Sequence, residues 1–255
     1  MQFPYTKMET NGHSWIIIHE ESLNKSILLS QLARNICHVG YGIGSDGILI
    51  VDEKYRPIPF VKAYNRDGKN VSVTDDSLRI IATYLLEKQT KNQLELNIDG
   101  NTIILVCRIK NTNSSVKYKL PDIHTEETIY MNESNVNTFS SQPNHTDYSI
   151  TLDRAQFKLE GRSFITKRSN NRFFFIRQKT PSFICLDCID GEVKDDPTDL
   201  EICEVLSILK NKKVIASDGL IHVQVPRGDL QGVCDYDSVY LSSKVQTITR
   251  GIFFY

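Results

Sequence analysis

The run Gly42-Ile43-Gly44-Ser45-Asp46-Gly47 constrains this chain more than any other. Three glycines within six residues call for a backbone turn that side chains would obstruct. The residues after it, 48–51, are all apolar and read as a buried strand. A phosphate-binding loop needs Lys-Ser/Thr after its glycines and a helix behind them. Here neither follows, so the turn excludes a nucleotide site at this place.

The flanking pattern extends the reading. Residues 15–19 form a short apolar strand. Residues 22–36 read as a helix, with Ser22 as N-cap and Leu29, Leu32, Ala33 and Ile36 on one face. After the turn come a strand at 60–65, a hairpin turn at Arg66-Asp67-Gly68-Lys69, and continued alternation through Val71 and Val73. A helix over about 75–88 places Leu78, Ile81, Ala82 and Leu85 on one face, and residues 94–106 hold two strands around Asp99-Gly100-Asn101.

Residues 111–149 change character, being rich in Asn, Ser and Thr. They read as loops and a linker, with Val116, Tyr118 and Leu120 as an edge strand. Apolar strands then occupy 163–189, followed by a second helix over Asp199–Asn211 with Ile202, Val205, Leu206 and Leu209 on one face. Strands close the chain at 221–225, 239–241 and 252–254. The expected organisation is an N-terminal half at 1–112, a linker and edge strand at 113–150, and a shortened C-terminal half at 151–255. Each half has strands around one helix, in an α/β (α+β) class.

At 255 residues, 40% hydrophobic and 24% charged, the chain buries a sizeable core. A net charge of −1 excludes nucleic acid and anionic membrane as bulk partners, since both need clustered positive charge. The opening Met1-Gln2-Phe3-Pro4-Tyr5 predicts no signal peptide, and no apolar stretch is long enough to span a bilayer. Six cysteines therefore read as reduced thiols of a cytoplasmic protein. Cys185 and Cys188, three apart on a strand, point to opposite faces, and no second pair completes a metal site. The six histidines lack ligand spacing, so neither metal nor cofactor is expected. Arg227-Gly228-Asp229 follows Val225-Pro226 and reads as a turn between strands. A small-molecule ligand is the partner class left standing, and a homodimer stays open.

Several of these elements together resemble the diaminopimelate epimerase family. Lys7-Met8 and Gly12 match its opening, Gly42 to Gly47 its glycine-aspartate element, and Asn65 with Asp67-Gly68 its next strand and turn. Residues 223–230 resemble its Pro-Gly-Gly strand connection, and Val239-Tyr240-Leu241 and Thr249-Arg250-Gly251 resemble its closing strands. The resemblance implies two halves, each a curved, mostly antiparallel sheet wrapped around a central helix, with a cleft between them. It implies a cofactor-independent amino-acid isomerase of the lysine-biosynthesis type. Substrate contacts would fall at His13, which stands where the family has asparagine, at Asn65 and at Arg79.

The chain departs from the family where the chemistry lies. The family's cysteine-glycine-asparagine-glycine at a helix start is Thr74-Asp75-Asp76-Ser77 here. Its second catalytic cysteine falls near Cys203, which is followed by Glu204-Val205-Leu206 instead of glycine-threonine-glycine and reads as a packing residue. Cofactor-free racemisation needs two opposed groups that remove and return an α-proton. A helix start lowers a thiol pKa into the useful range, but a threonine hydroxyl does not ionise near neutral pH. Asp75 and Asp76 complement the helix dipole and repel an incoming carboxylate. Two-thiol proton transfer is therefore expected to be lost. The catalytic positions to inspect are Thr74, Asp75, Asp76 and Cys203. One alternative is a carboxylate base at Asp75 or Asp76, as in phenazine-biosynthesis isomerase-like proteins. The other is a non-catalytic, ligand-binding or structural relative.

Overall fold

The computed structural model of the chain describes residues 1–53, 58–87, 93–98, 101–106, 108–110, 113–119, 130–132, 162–167, 172–190, 193–211, 213–215, 219–234 and 238–255. Its first strands are Gln2–Thr10 (β1), His13–His19 (β2), Gly47–Asp52 (β3), Phe60–Asn65 (β4), Asn70–Val71 (β5), Gln93–Ile98 (β6) and Asn101–Val106 (β7). Arg108–Lys110 (β8), Asn113–Lys119 (β9), Tyr130–Asn132 (β10), Arg162–Lys167 (β11), Arg172–Thr180 (β12), Phe183–Asp190 (β13) and Val193–Asp195 (β14) follow. Leu220–Val225 (β15), Gly228–Cys234 (β16), Ser238–Lys244 (β17) and Gln246–Phe254 (β18) complete the strands. The helices are Leu29–Ile36 (α1), Asp75–Leu86 (α2) and Asp199–Asn211 (α3).

The first sheet runs β18-β1-β2-β3-β4-β6-β7, with β5 added on β4. Its pairs are antiparallel except β2 with β3 and β4 with β6. The alternation of the strands supplies two apolar faces. Phe3, Ile16, Ile18, Ile48 and Ile50 pack with Leu32, Ala33 and Ile36 of α1. Trp15, Ile17, Leu49 and Val51 have the opposite parity and are equally buried, and α2 packs against β1 and β2. Residues 76–86 of α2 are all buried, as befits a helix at the centre of a unit rather than on its surface.

The second sheet runs β10-β11-β12-β13-β15-β16-β17-β9-β8, with β14 on β13. β13 and β15 pair in parallel, and the pairs from β10 to β13 are antiparallel. Residues 201–209 of α3 are all buried. The fold is a mixed α+β arrangement with a buried helix in each unit. The two compact units are residues 1–117 with 241–255, and residues 118–240. The last strand belongs to the first unit because β18 pairs with β1, from Gln2 opposite Phe254 to Glu9 opposite Gln246.

The glycine-rich turn caps α1 and launches β3. The N–H groups of Ile43 and Gly44 both donate to the Ile36 carbonyl, at 2.7 and 3.2 Å, satisfying an end of the helix. A Cβ on Gly42 would stand 2.3 Å from the Asn35 carbonyl oxygen, and one on Gly47 2.4 Å from both Tyr64 O and the Trp15 ring. The glycines are required by close backbone approach, and the run is a helix-to-strand connector.

The expected helix over 22–36 is corrected to α1 alone. Ser22 is not its N-cap; its Oγ donates to the His19 carbonyl at 2.7 Å and closes a short 3-10 turn, Glu20–Ser22. Asn24 then holds the chain out of the helix. Its Oδ1 accepts from Ser26 N–H at 3.1 Å and its carbonyl from Ile27 N–H at 3.0 Å. α2 ends at Leu86, and the expected end at Lys88 lies outside the described residues, as do Asp99, Gly100 and Leu120. Of the segment 113–150, β9 and β10 are strands, and its remaining residues lie outside the described set.

Candidate functional site

The start of α2 lies at one end of the first sheet. Register sets this: Trp15 on β2 stands opposite Gly47 on β3, which stands opposite Asn65 at the end of β4. The two-residue turn Asn11-Gly12 joins β1 to β2 at the same end, with φ of 51° and 79°, the left-handed pair that fits a tight hairpin. From that turn Asn11 Nδ2 donates to Asp76 Oδ1 at 3.3 Å, so the hairpin touches the first turn of α2.

Thr74 is the N-cap. Its backbone is extended (φ −80°, ψ 164°), its Oγ1 accepts from Ser77 N–H at 3.4 Å, and its carbonyl accepts the first helical bond from Leu78 at 2.8 Å. Ser77 Oγ lies 3.0 Å from Thr74 Oγ1 and donates to the Thr74 carbonyl at 2.8 Å. The Thr74 hydroxyl is thus engaged in capping.

Asp75 is half-buried in the first turn. Asp76 is buried, and its Oδ1 lies 2.9 Å from Nη1 of Arg79, whose side chain has no exposed surface. Arg79 belongs to the interior of α2, with its carbonyl accepting from Thr83 Oγ1 at 2.7 Å.

His13 is exposed at the start of β2, its Nδ1 3.9 Å from Asp46 Oδ2. Asp46 itself accepts from Ser14 N–H at 2.8 Å, and Ser45 Oγ donates to the Ser14 carbonyl at 2.7 Å. These bonds tie the glycine-rich turn to β2. Asn65 shapes the next turn: its Oδ1 accepts from the N–H groups of Asp67 at 3.1 Å and Lys69 at 2.9 Å. The structure therefore gathers Thr74, Asp75, Asp76, Arg79, His13 and Asn65 at one sheet end. Asn11 and Asp46 are the members that sequence reasoning passed over. An Asn-Gly pair between two strands is the signal that could have found Asn11.

Cys203 belongs to the second unit, fully buried in α3. That helix begins with a capping box: Thr198 N–H donates to Glu201 Oε2 at 2.8 Å and Glu201 N–H to Thr198 Oγ1 at 3.3 Å. The spacing Thr-x-x-Glu before an apolar run announces it in the sequence. Beside the cap, Asp199 is fully buried and accepts from Arg227 Nη2. Arg227 lies in the Pro226-Arg227 turn joining β15 to β16, with Val225 opposite Gly228. Cys185 and Cys188 are buried on β13, and Cys185 Sγ donates to Gln224 Oε1 at 3.3 Å. Among the described residues no three His, Cys, Asp or Glu side chains stand close enough together to hold a metal, and no helix is long and apolar enough to cross a membrane. In the first unit Cys37 is also buried. Burial, and then the charge of Asp46, push its thiol from 9.0 up to about 12, against the pull of Lys7 and Arg66.

No protein-family model matches the chain. A diaminopimelate epimerase of Alkaliphilus metalliredigens is 30% identical over 88 residues, covering 34% of this chain and 31% of that protein. One of Clostridium perfringens is 35% identical over 86 residues, covering 33% and 31%. The matched segment thus spans about a third of the length of these relatives. Among solved structures, a phenazine biosynthesis protein of the PhzF family from Enterococcus faecalis aligns over 100% of both chains with a TM-score of 0.63 at 7% identity. A predicted epimerase from Pseudomonas aeruginosa aligns over 99% of both with a TM-score of 0.54 at 11% identity. The fold is diaminopimelate-epimerase-like. On this epimerase-like scaffold the α2 start offers a capped helix end, a neutralised carboxylate and one half-buried carboxylate, Asp75. Such a set positions hydrogen bonds and places no thiol at the helix start.

Proposed function

We propose that this chain is an epimerase-like protein in which thiol-pair proton transfer has given way to a structural helix cap, leaving a small-molecule-binding or structural relative. The carrying observation is the engagement of Thr74 Oγ1 with Ser77 at the head of α2. A hydroxyl there has no accessible ionisation to serve as base, and the buried Asp76 is paired with Arg79. A ligand at this end would meet His13 and Asp75 and would be neutral or cationic where it faces Thr74, because carboxylates at the helix start compete with an anion for the dipole. The names of the similar proteins, epimerases and phenazine-biosynthesis proteins, support descent from isomerases.

The test is α-proton exchange. Purified protein incubated with diaminopimelate in deuterated buffer is expected to incorporate no deuterium above background, since loss of a general base typically costs about 10²–10⁴-fold. The half-exposed position of Asp75 favours one second reading, a carboxylate base. Exchange abolished by Asp75→Asn would establish that reading and end the first.

A further inference from the structure

The tip of the β1–β2 hairpin carries chemistry that the proposed function does not use. Asn11-Gly12 is the chain's one Asn-Gly pair. Both residues have positive φ, 51° and 79°, and Thr10 pairs with His13 across them, so the turn is a tight two-residue one. Asn11 is half-buried and Gly12 is exposed. A Cβ on Gly12 would meet nothing within 4 Å. The Asn11 amide joins the hairpin to α2, with Nδ2 donating to Oδ1 of the buried Asp76 at 3.3 Å.

An asparagine followed by glycine is open to attack by the next backbone nitrogen. Glycine lacks the Cβ that shields this nitrogen, and it reaches the backbone angles that ring closure needs. The Gly12 nitrogen forms a bond to Asn11 Cγ and gives up its proton. The Cγ–Nδ2 bond breaks, and ammonia leaves with that proton. The product is a cyclic imide, which water opens. Cleavage of the new Cγ–N bond leaves aspartate at position 11. Cleavage of the original peptide bond leaves isoaspartate, with the main chain rerouted through Cβ and Cγ and one methylene longer. Solvent water is the sole co-reactant.

We propose that Asn11 is a self-modification site, and that its conversion unlatches the hairpin from α2. The amide presents hydrogens to Asp76, whereas either product presents a carboxylate, which offers acceptors alone. Asp76 loses a donor, and two carboxylates at this distance repel. Isoaspartate adds a second fault, because a two-residue turn does not absorb another backbone atom without disturbing the Thr10–His13 register. The bond to Asp76 sets the pace, since the amide must leave it before the ring closes. The same tip carries His13, so the event alters the edge of the candidate site whatever that site binds, and the inference does not rest on the proposed function.

The experiment ages the full-length folded chain in warm, mildly alkaline buffer made with heavy-oxygen water, followed by peptide mass spectrometry. Heavy oxygen in the product marks opening of the imide by solvent. Asn11 is expected to convert to aspartate and isoaspartate at least about tenfold faster than Asn24, which precedes lysine in the same tryptic peptide, Met8–Lys25. Gly12→Ala, whose added Cβ finds open space, should slow Asn11 by at least about tenfold. In aged protein the amides of the tip and of the first turn of α2 are expected to exchange hydrogen faster than in fresh protein, and aged Gly12→Ala should show no such change. Asn11→Asp should reproduce the faster exchange; if it fails to fold, the aged native chain, which starts folded, supplies the same reading. An Asn11 that stays intact in the folded chain while the urea-unfolded chain converts would overturn the proposal. So would equal rates in Gly12→Ala and native protein, or converted protein whose tip exchanges as the fresh protein does.

Discussion

Asp76 Oδ1 and Arg79 Nη1 lie 2.9 Å apart at the head of a helix whose residues 76–86 are all buried. Breaking such a pair strands a charge in the interior. Arg79→Met alone is expected to lower unfolding free energy by about 3–5 kcal/mol, while Asp76→Leu/Arg79→Met recovers most of that loss. Urea denaturation of the single and double variants checks it. A loss under about 1 kcal/mol in Arg79→Met would show that water already reaches the pair.

The cap at Thr74 is a smaller term. Thr74→Ala should cost about 1 kcal/mol and Thr74→Ser almost nothing, because only the hydroxyl that accepts from Ser77 matters. Equal losses in the two variants would mean that the methyl group, not the cap, holds this turn.

A thiol placed at the same helix start separates helix chemistry from burial. Thr74 is exposed, whereas Cys37 is buried with its thiol pushed up to about 12. Thr74→Cys should react with iodoacetamide at pH 8 far faster than the buried thiols Cys37, Cys185, Cys188 and Cys203. Unchanged labelling kinetics would show that the helix start is closed to solvent.

Cys37 also sets an alkaline limit on stability. Its folded pKa lies above the ordinary 9.0, so the folded state keeps the proton while the unfolded chain releases it. Stability from this group is complete below pH 9 and declines as pH rises towards 12, by up to about 1.4 kcal/mol per pH unit. Burial raises Tyr84 and Cys234 as well, so among the described residues the native curve falls for three reasons. The difference between native protein and Cys37→Ala isolates the thiol. Parallel curves for the two across pH 9 to 11 would contradict this.

The turn glycines are set by contact distance. Gly47→Ala would drive a Cβ to 2.4 Å from Tyr64 O, a backbone atom that moves only with β4. A loss of more than about 2 kcal/mol is expected, against little for Gly12→Ser at the open hairpin tip beyond its left-handed strain. Equal melting temperatures for Gly47→Ala and native protein would refute the close approach.

Much of the fold was legible because its signals are local. Continuous apolar runs marked β2 and β3, a short strand before a hairpin turn marked β4, period-three-to-four runs marked α2 and α3, and the glycines marked the connector into β3. The over-long first helix shows the limit of that reading. The apolar spacing was right from Leu29 onward, but the side chains of Ser22 and Asn24 bond to nearby backbone, and periodicity does not register that competition. That position 74 carries a hydroxyl and no thiol was likewise visible in one residue.

Amino-acid order by itself determined which residues sit at the α2 start, since Thr74 to Arg79 are contiguous. Only the tertiary structure decided what they do. Asn11 meets Asp76 because a hairpin 65 positions away reaches that helix. Arg227 meets Asp199 because a turn between two strands folds beside α3. The last strand belongs to the first unit because its backbone groups pair with those of β1. Each is a contact between segments far apart in the chain, set by burial and hydrogen-bond geometry, and no local pattern encodes a partner at that distance.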